Sequence, residues 1–144
     1  MLHQLEQAAA AAAPELPDPA HTGIVVELFE RLISHLSSMV QHHRAGELEQ
    51  RFMHFKSALA ILEDLYSPLD QNSGDEWSEQ TGSLYMFVIR DVTGGIIRND
   101  IEPTERAILL LNPLRFAWQT LDAQARLRGV GNSASDASVS QARA

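Results

Sequence analysis

The feature that most constrains the fold is a run of apolar residues spaced alternately four and three positions apart. It is clearest in one stretch, where the apolar positions are Leu48, Phe52, Phe55, Leu59, Leu62, Tyr66 and Leu69. Residues three and four apart lie on the same face of an α-helix, so this spacing predicts one long amphipathic helix. A helix with one apolar face must bury it against other elements, so the chain needs partner helices.

Three other segments show the same helical spacing. The stripes are Val25, Leu28, Leu32, Leu36 and Met39 in the first segment; Trp77, Thr81, Leu84, Val88 and Val92 in the third; and Ala107, Leu111, Leu114, Trp118, Leu121 and Ala125 in the fourth. Glycine-containing turns at 44–46 and 72–75 separate the first three helices. Four amphipathic helices joined by short loops predict an all-α fold, an antiparallel up-down four-helix bundle.

The two ends of the chain depart from this pattern. Residues 1–19 are rich in alanine and proline, which predicts a short N-terminal helix or arm. Residues 129–144 are mostly Gly, Ser, Ala and Asn without apolar periodicity, which predicts a disordered C-terminal tail. The bundle is therefore expected over residues 20–128. Pro113 lies inside the fourth helix and predicts a bend near residues 109–113, and Gly94-Gly95 is a second weak point.

The composition excludes several classes of function. The chain has 144 residues, no cysteine and a formal net charge of −8, which predicts one domain in a reducing compartment. The negative charge argues against nucleic acid and anionic membranes as partners. The apolar runs are far shorter than the roughly 20 residues of a membrane span, and the N-terminus lacks the features of a signal peptide. We therefore expect a cytoplasmic protein with no membrane insertion.

The residue patterns do not favour catalysis, a cofactor or a metal. A di-iron bundle would show Glu-x-x-His on its helices, and the chain has no such spacing. His42 and His43 are adjacent, so on a helix they point about 100° apart and cannot chelate one ion together. We expect them to be solvated at a helix end, and His35 and His54 to lie at surfaces or edges. A bundle that binds a metal or small molecule is therefore a disfavoured alternative to a non-enzymatic protein.

The predicted helices carry more apolar residues than one stripe each requires. The additional residues are Phe29, Ile33 and Val40 in the first helix, Met86, Ile89 and Ile97 in the third, and Ile108, Leu109, Leu110 and Phe116 in the fourth. Two interpretations stay open. These residues widen the core-facing side of each helix, or they form a groove for an amphipathic segment of another protein.

Short motifs along the middle of the chain indicate a family. They are Leu28-Phe29-Glu30, Leu69-Asp70 followed by Gly74 and Glu76, Leu84-Tyr85, Asn99-Asp100, and Leu114-Arg115 followed by Ala117-Trp118. In this order and spacing they resemble the flagellar export chaperone family FliS, over roughly residues 20–121. The chain departs from the family pattern at Ile96 and Pro113, and it has no tyrosine before Tyr66.

The resemblance implies a cytoplasmic export chaperone that binds the disordered C-terminal segment of flagellin. Such a chaperone prevents premature polymerisation and aids delivery to the flagellar type III export apparatus, whose export-gate cytoplasmic domain is a second implied partner. The expected client-binding residues are Ile33, Met53, Ile89, Ile97, Leu109, Leu110 and Phe116. The alternative is a related helical-bundle adaptor or regulator with a different protein client.

Overall fold

The structure, a computed structural model, describes the backbone of residues 19–71 and 74–142, and the side chains of residues 21–69 and 74–129. Four helices follow one another: α1 is Pro19–Arg44, α2 is Leu48–Gln71, α3 is Glu76–Arg98 and α4 is Glu102–Ala142. The described backbone contains no β-strand. The predicted all-α four-helix fold is thus confirmed. Within the same residues, no helix is both long and apolar enough to cross a membrane.

The helices form a closed ring in which each packs beside the next and α4 returns to α1. Polar contacts between α1 and α4 show that these two helices run in opposite directions. The Thr22 hydroxyl, in the first turn of α1, donates to Asp122 Oδ1 at 2.8 Å, whereas Arg44, at its end, approaches Glu105 at 4.0 Å. Connections of three residues, 45–47 and 99–101, leave room only for an antiparallel reversal.

The core takes large side chains from every helix. Those with essentially no exposed surface include Phe29, Leu32, Leu36 and Met39 of α1, Leu62 of α2, Val88 of α3, and Leu111 and Leu114 of α4. Burial of one such side chain contributes about 1.5–3 kcal/mol to folding. Helix α1 supplies half of this set, so it is the element around which the others pack.

Two of the predicted stripes differ from the structure at individual residues. In α1, Phe29 is buried and Leu28 only partly so, although the sequence pattern placed Leu28 in the stripe. In α2, Leu48 and Phe52 were predicted to face the core but are 49% and 47% exposed. They face outward because Arg51 occupies the inward position in this part of α2, where it is 5% exposed.

The helical backbone extends past residue 129, where the disordered tail was predicted to begin. The backbone of α4 remains helical to Ala142. No proline follows Pro113, so no residue beyond it lacks the backbone N–H that a helix requires. The helix also continues through Pro113, and the bend near that residue stays a prediction. Of the predicted N-terminal arm, residues 1–19, all but Pro19 lie outside the described residues, and Pro19 is the first residue of α1.

Helix α3 ends in a tight connection that depends on two special residues. Asn99 adopts a left-handed conformation with φ of 56°, and the Asp100 amide donates to the Gly95 carbonyl at 2.8 Å. Asp100 Oδ1 then accepts from the Glu102 amide at 3.1 Å and so caps the start of α4. A Cβ at Gly95 would lie 2.6 Å from the Asp100 carbonyl oxygen and 3.0 Å from Pro103 Cγ. Only glycine therefore fits at this crossing.

Substitution of the two adjacent glycines distinguishes their roles. The methyl group of Gly95→Ala would push the Asp100 backbone away from α3. We therefore expect this substitution to lower the free energy of unfolding by about 1–3 kcal/mol. At Gly94, a Cβ would lie 2.9 Å from Arg98 Nη1, the mobile end of a long side chain. Gly94→Ala should therefore be neutral or stabilising by up to about 1 kcal/mol. Urea unfolding measures both, and equal effects at the two positions would contradict the tight crossing.

Candidate protein-binding surface

The seven predicted client-binding residues differ in how far the structure exposes them. Four are between 60% and 80% exposed: Met53, Ile97, Leu109 and Phe116. Two are partly buried and pack against the core: Ile89 and Leu110. Ile33 is only 8% exposed and belongs to the core, so it is not available as a surface contact. Phe29 and Val40, two of the other surplus residues of the first helix, are buried as well.

The exposed residues of α4 form a row along one face. Leu109 and Phe116 are seven residues apart, which is two helical turns or about 10 Å. Leu109 lines a groove of about 390 Å³ between α1 and α4, together with Val40 and Ile108. Arg44 and Glu105 line the same groove. This row, called the α4 row below, is an apolar strip with charged groups beside it.

A second group of exposed apolar residues lies where the start of α2 meets the end of α3. Leu48, Phe52 and Met53 are exposed in the first two turns of α2, and Ile97 is exposed in the last turn of α3. The Lys56 ammonium lies 5.9 Å from the centre of the Phe52 ring, in cation–π contact. The structure therefore distributes the predicted residues over separate parts of the surface, not in one groove.

A cleft of about 440 Å³ opens at the end of the bundle where α1 begins, and all four helices contribute to its lining. The Trp77 and Trp118 rings meet edge to face at 6.4 Å, and His21 contacts Trp118 at 6.2 Å. The Trp118 Nε1–H is buried and has no hydrogen-bond partner among the described residues. Burial raises the pKa of Tyr85, which lines the same cleft, so its phenol stays neutral.

The sequence patterns did not reveal this end cleft. They placed Trp77 and Trp118 on separate core-facing stripes, 41 positions apart in the chain. A signal was nevertheless present, because these are the two tryptophans of the chain, and tryptophan is rarely buried completely. Their meeting depends on how α3 and α4 are placed in the bundle, which helical periodicity does not specify.

The opposite end of the bundle is joined by a buried arginine. Arg51 Nη1 donates to Asn99 Oδ1 at 2.7 Å and to His43 Nδ1 at 2.6 Å. One guanidinium of α2 thereby joins the end of α1 to the C-terminal cap of α3. His43 was predicted to be solvated at a helix end, whereas the structure places it half-buried as an acceptor for Arg51. No sequence pattern indicated this buried arginine.

The chemistry of the described surface is that of apolar contact flanked by charge. Within residues 19–71 and 74–142, no group of three or more His, Asp or Glu side chains is arranged to hold a metal ion. Some carboxylates form ion pairs, as in Asp91, which accepts two hydrogen bonds from Arg106 at 2.8 and 3.2 Å. A surface of this kind suits recognition of another polypeptide.

Comparison with known proteins identifies one family. A family model described as Flagellar protein FliS matches residues 4–125, which is most of the chain. The match includes the α4 row, the end cleft and all seven predicted contact residues. No curated protein matches the chain.

The buried arginine yields a test of the bundle at the α2–α3 end. Arg51→Ala leaves His43 and Asn99 without their donor and creates a cavity, so we expect it to lower the free energy of unfolding by about 2 kcal/mol or more. Arg44→Ala is the control, because among the described side chains Arg44 pairs with Glu105 alone, at 4.0 Å and in an exposed position. That change should cost less than about 1 kcal/mol. Thermal or urea unfolding measures both, and similar losses would show that Arg51 is not structurally special.

Proposed function

The chain belongs to FliS, a family of flagellar export chaperones that are not enzymes, and we propose that it binds the disordered C-terminal segment of flagellin. In this proposal the protein acts in the cytoplasm and keeps flagellin from polymerising before export. It then aids delivery of flagellin to the type III export apparatus, where the cytoplasmic domain of the export gate is its second partner.

The observation that carries the proposal is the α4 row. The helix already buries Leu111 and Leu114 completely, so its core-facing side is satisfied without Leu109 and Phe116. These two residues remain 73% and 60% exposed, and their two-turn spacing matches the repeat of one face of an amphipathic helix. A client segment with a complementary apolar face gains contact area here that the isolated bundle leaves in water.

The physical need for such a partner comes from the client. A segment that packs by its apolar face in a filament exposes that face while it is unassembled, which favours aggregation. Binding to the bundle removes that face from water at about 25 cal/mol per Å² of apolar area. This gain must exceed the cost of ordering a disordered segment. A client segment that wraps around several helices buries more apolar area than one that occupies a single groove. The exposed apolar residues on several helices therefore support a client that wraps around the bundle.

Charge plays a secondary part in this mode of binding. The chain has 19 acidic and 11 basic residues, and Leu109 lies beside a groove that contains one charge of each sign, Glu105 and Arg44. The apolar strip thus has no strong local charge of one sign. We therefore attribute affinity to buried apolar area, and we assign the acidic surface to solubility and to rejection of anionic partners.

The first test uses flagellin with and without its C-terminal segment. Full-length flagellin should form a stoichiometric complex with the protein, and deletion of the C-terminal residues should abolish it, because the proposed contact lies in that segment. Isothermal titration calorimetry and size-exclusion chromatography measure this. Equal binding of truncated flagellin would contradict the proposal. Failure to bind full-length flagellin, with capture of another protein from the native cytoplasm, would instead favour an adaptor with a different client.

The second test compares two exposed phenylalanines. Phe116→Gln removes apolar area from the α4 row and should weaken flagellin binding about tenfold or more. Phe87→Gln makes the same change on α3, where Phe87 is 49% exposed and lines the groove between α2 and α3. This control should leave affinity nearly unchanged. Equal losses for the two variants would show that the α4 row is not the principal contact.

A further inference from the structure

Three of the six histidines of the chain come together where α1 packs against α2. His35 Nδ1 of α1 lies 2.9 Å from His54 Nδ1 of α2, and their ring centres are 5.2 Å apart. On the other side of His54, the His42 ring stacks at 5.2 Å with an interplanar angle of 16°. His54 is thus placed between two histidines of α1 that are two helical turns apart.

The 2.9 Å separation restricts the protons that this pair can hold. A hydrogen bond between two ring nitrogens needs one N–H and one lone pair, so at least one of the two Nδ1 atoms must be unprotonated. If both rings became imidazolium, two N–H groups and two positive charges would face each other across this distance. The contact between α1 and α2 would then change from attractive to repulsive.

The surroundings add positive charge to the pair and little negative charge. Burial lowers the pKa of His35, and the neighbouring His54 and Arg31 lower it further. His42 brings a third imidazole to the site, with Glu47 of the α1–α2 loop 3.3 Å from its Nδ1. Groups from the other helices are engaged elsewhere at this end of the bundle: Glu105 of α4 pairs with Arg44, and Asn99 after α3 accepts from Arg51.

We propose that the His35–His54 hydrogen bond is an acid-sensitive clasp between α1 and α2, intact while one ring is neutral and broken when both are protonated. A metal ion could also bring two such nitrogens together, but no third ligand converges on them among the described side chains. The clasp is independent of the proposed client.

The direction of the pH effect follows from proton linkage. His35 binds a proton less readily in the folded chain than in the unfolded chain, where its pKa is about 6.5. The clasp therefore contributes its full stability above pH 6.5. That contribution falls as the pH decreases from 6.5 towards the folded-state pKa, and it levels off below. Between these two pKa values, each fall of one pH unit raises the unfolding constant by up to about tenfold through the protonation of His35.

The test combines unfolding with imidazole titration by nuclear magnetic resonance in the full-length chain. His35→Asn and His54→Asn each place an amide near the former Nδ1 and remove one titrating group. As the pH falls from 7.5 to 5.5, the unfolding constant should rise less for His35→Asn than for the unsubstituted protein. The difference between the two should be up to about a factor of ten per pH unit. In His54→Asn, the measured pKa of His35 should rise towards 6.5, because a positive neighbour is gone.

His21→Asn is the matched control, because His21 lies on α1 but contacts Trp118 at the other end of the bundle. It should retain the pH dependence of the unsubstituted protein. The proposal is overturned if His35→Asn and the unsubstituted protein lose stability in parallel, or if the pKa of His35 is the same with and without His54. Should His35→Asn fail to fold, the His35 titration in His54→Asn decides alone.

Discussion

The complete burial of one face of α1 is the interaction on which the rest of the structure depends. Phe29, Leu32, Leu36 and Met39 have no exposed surface, and α1 packs against both α2 and α4. These four side chains fill the centre of the bundle, so α3 packs between α2 and α4 on the side opposite α1. Residues of α4 that do not face this centre must face water. The exposed α4 row is therefore a consequence of how the core is filled.

The number, type and direction of the helices could be predicted from the sequence, because apolar spacing and short loops are local properties. Burial at individual positions was less predictable: four of the five predicted stripe residues of α1 are buried, but Leu28 is only partly so. A shift of one position turns a helix by about 100°, and this distinguishes the buried Phe29 from the partly buried Leu28. In α2 the inward position belongs to Arg51, whose partners His43 and Asn99 lie on other elements. Partners on other elements can be identified only once the arrangement of the helices in the bundle is known.

Most, but not all, of the exposed residues of the candidate surface could be predicted from the sequence. Leu109, Phe116, Met53 and Ile97 lie off the main stripes, and the structure exposes all four. Ile33 also lies off its predicted stripe, yet it is 8% exposed and belongs to the core. The end cleft and the histidine clasp were not predictable, since each joins residues of different helices.

Buried polar contacts at one end of the bundle contribute to stability, whereas the exposed apolar side chains of the α4 row are available for recognition of a partner. The buried Arg51 and the His35–His54 pair hold the end where α1 turns into α2 and α3 ends. The Leu109 and Phe116 side chains remain largely in water and add little to the core. A surface that contributes little to folding can change its side chains to fit a client without loss of the fold. A polar end that joins three elements is constrained instead, because each lost partner leaves a buried group unsatisfied.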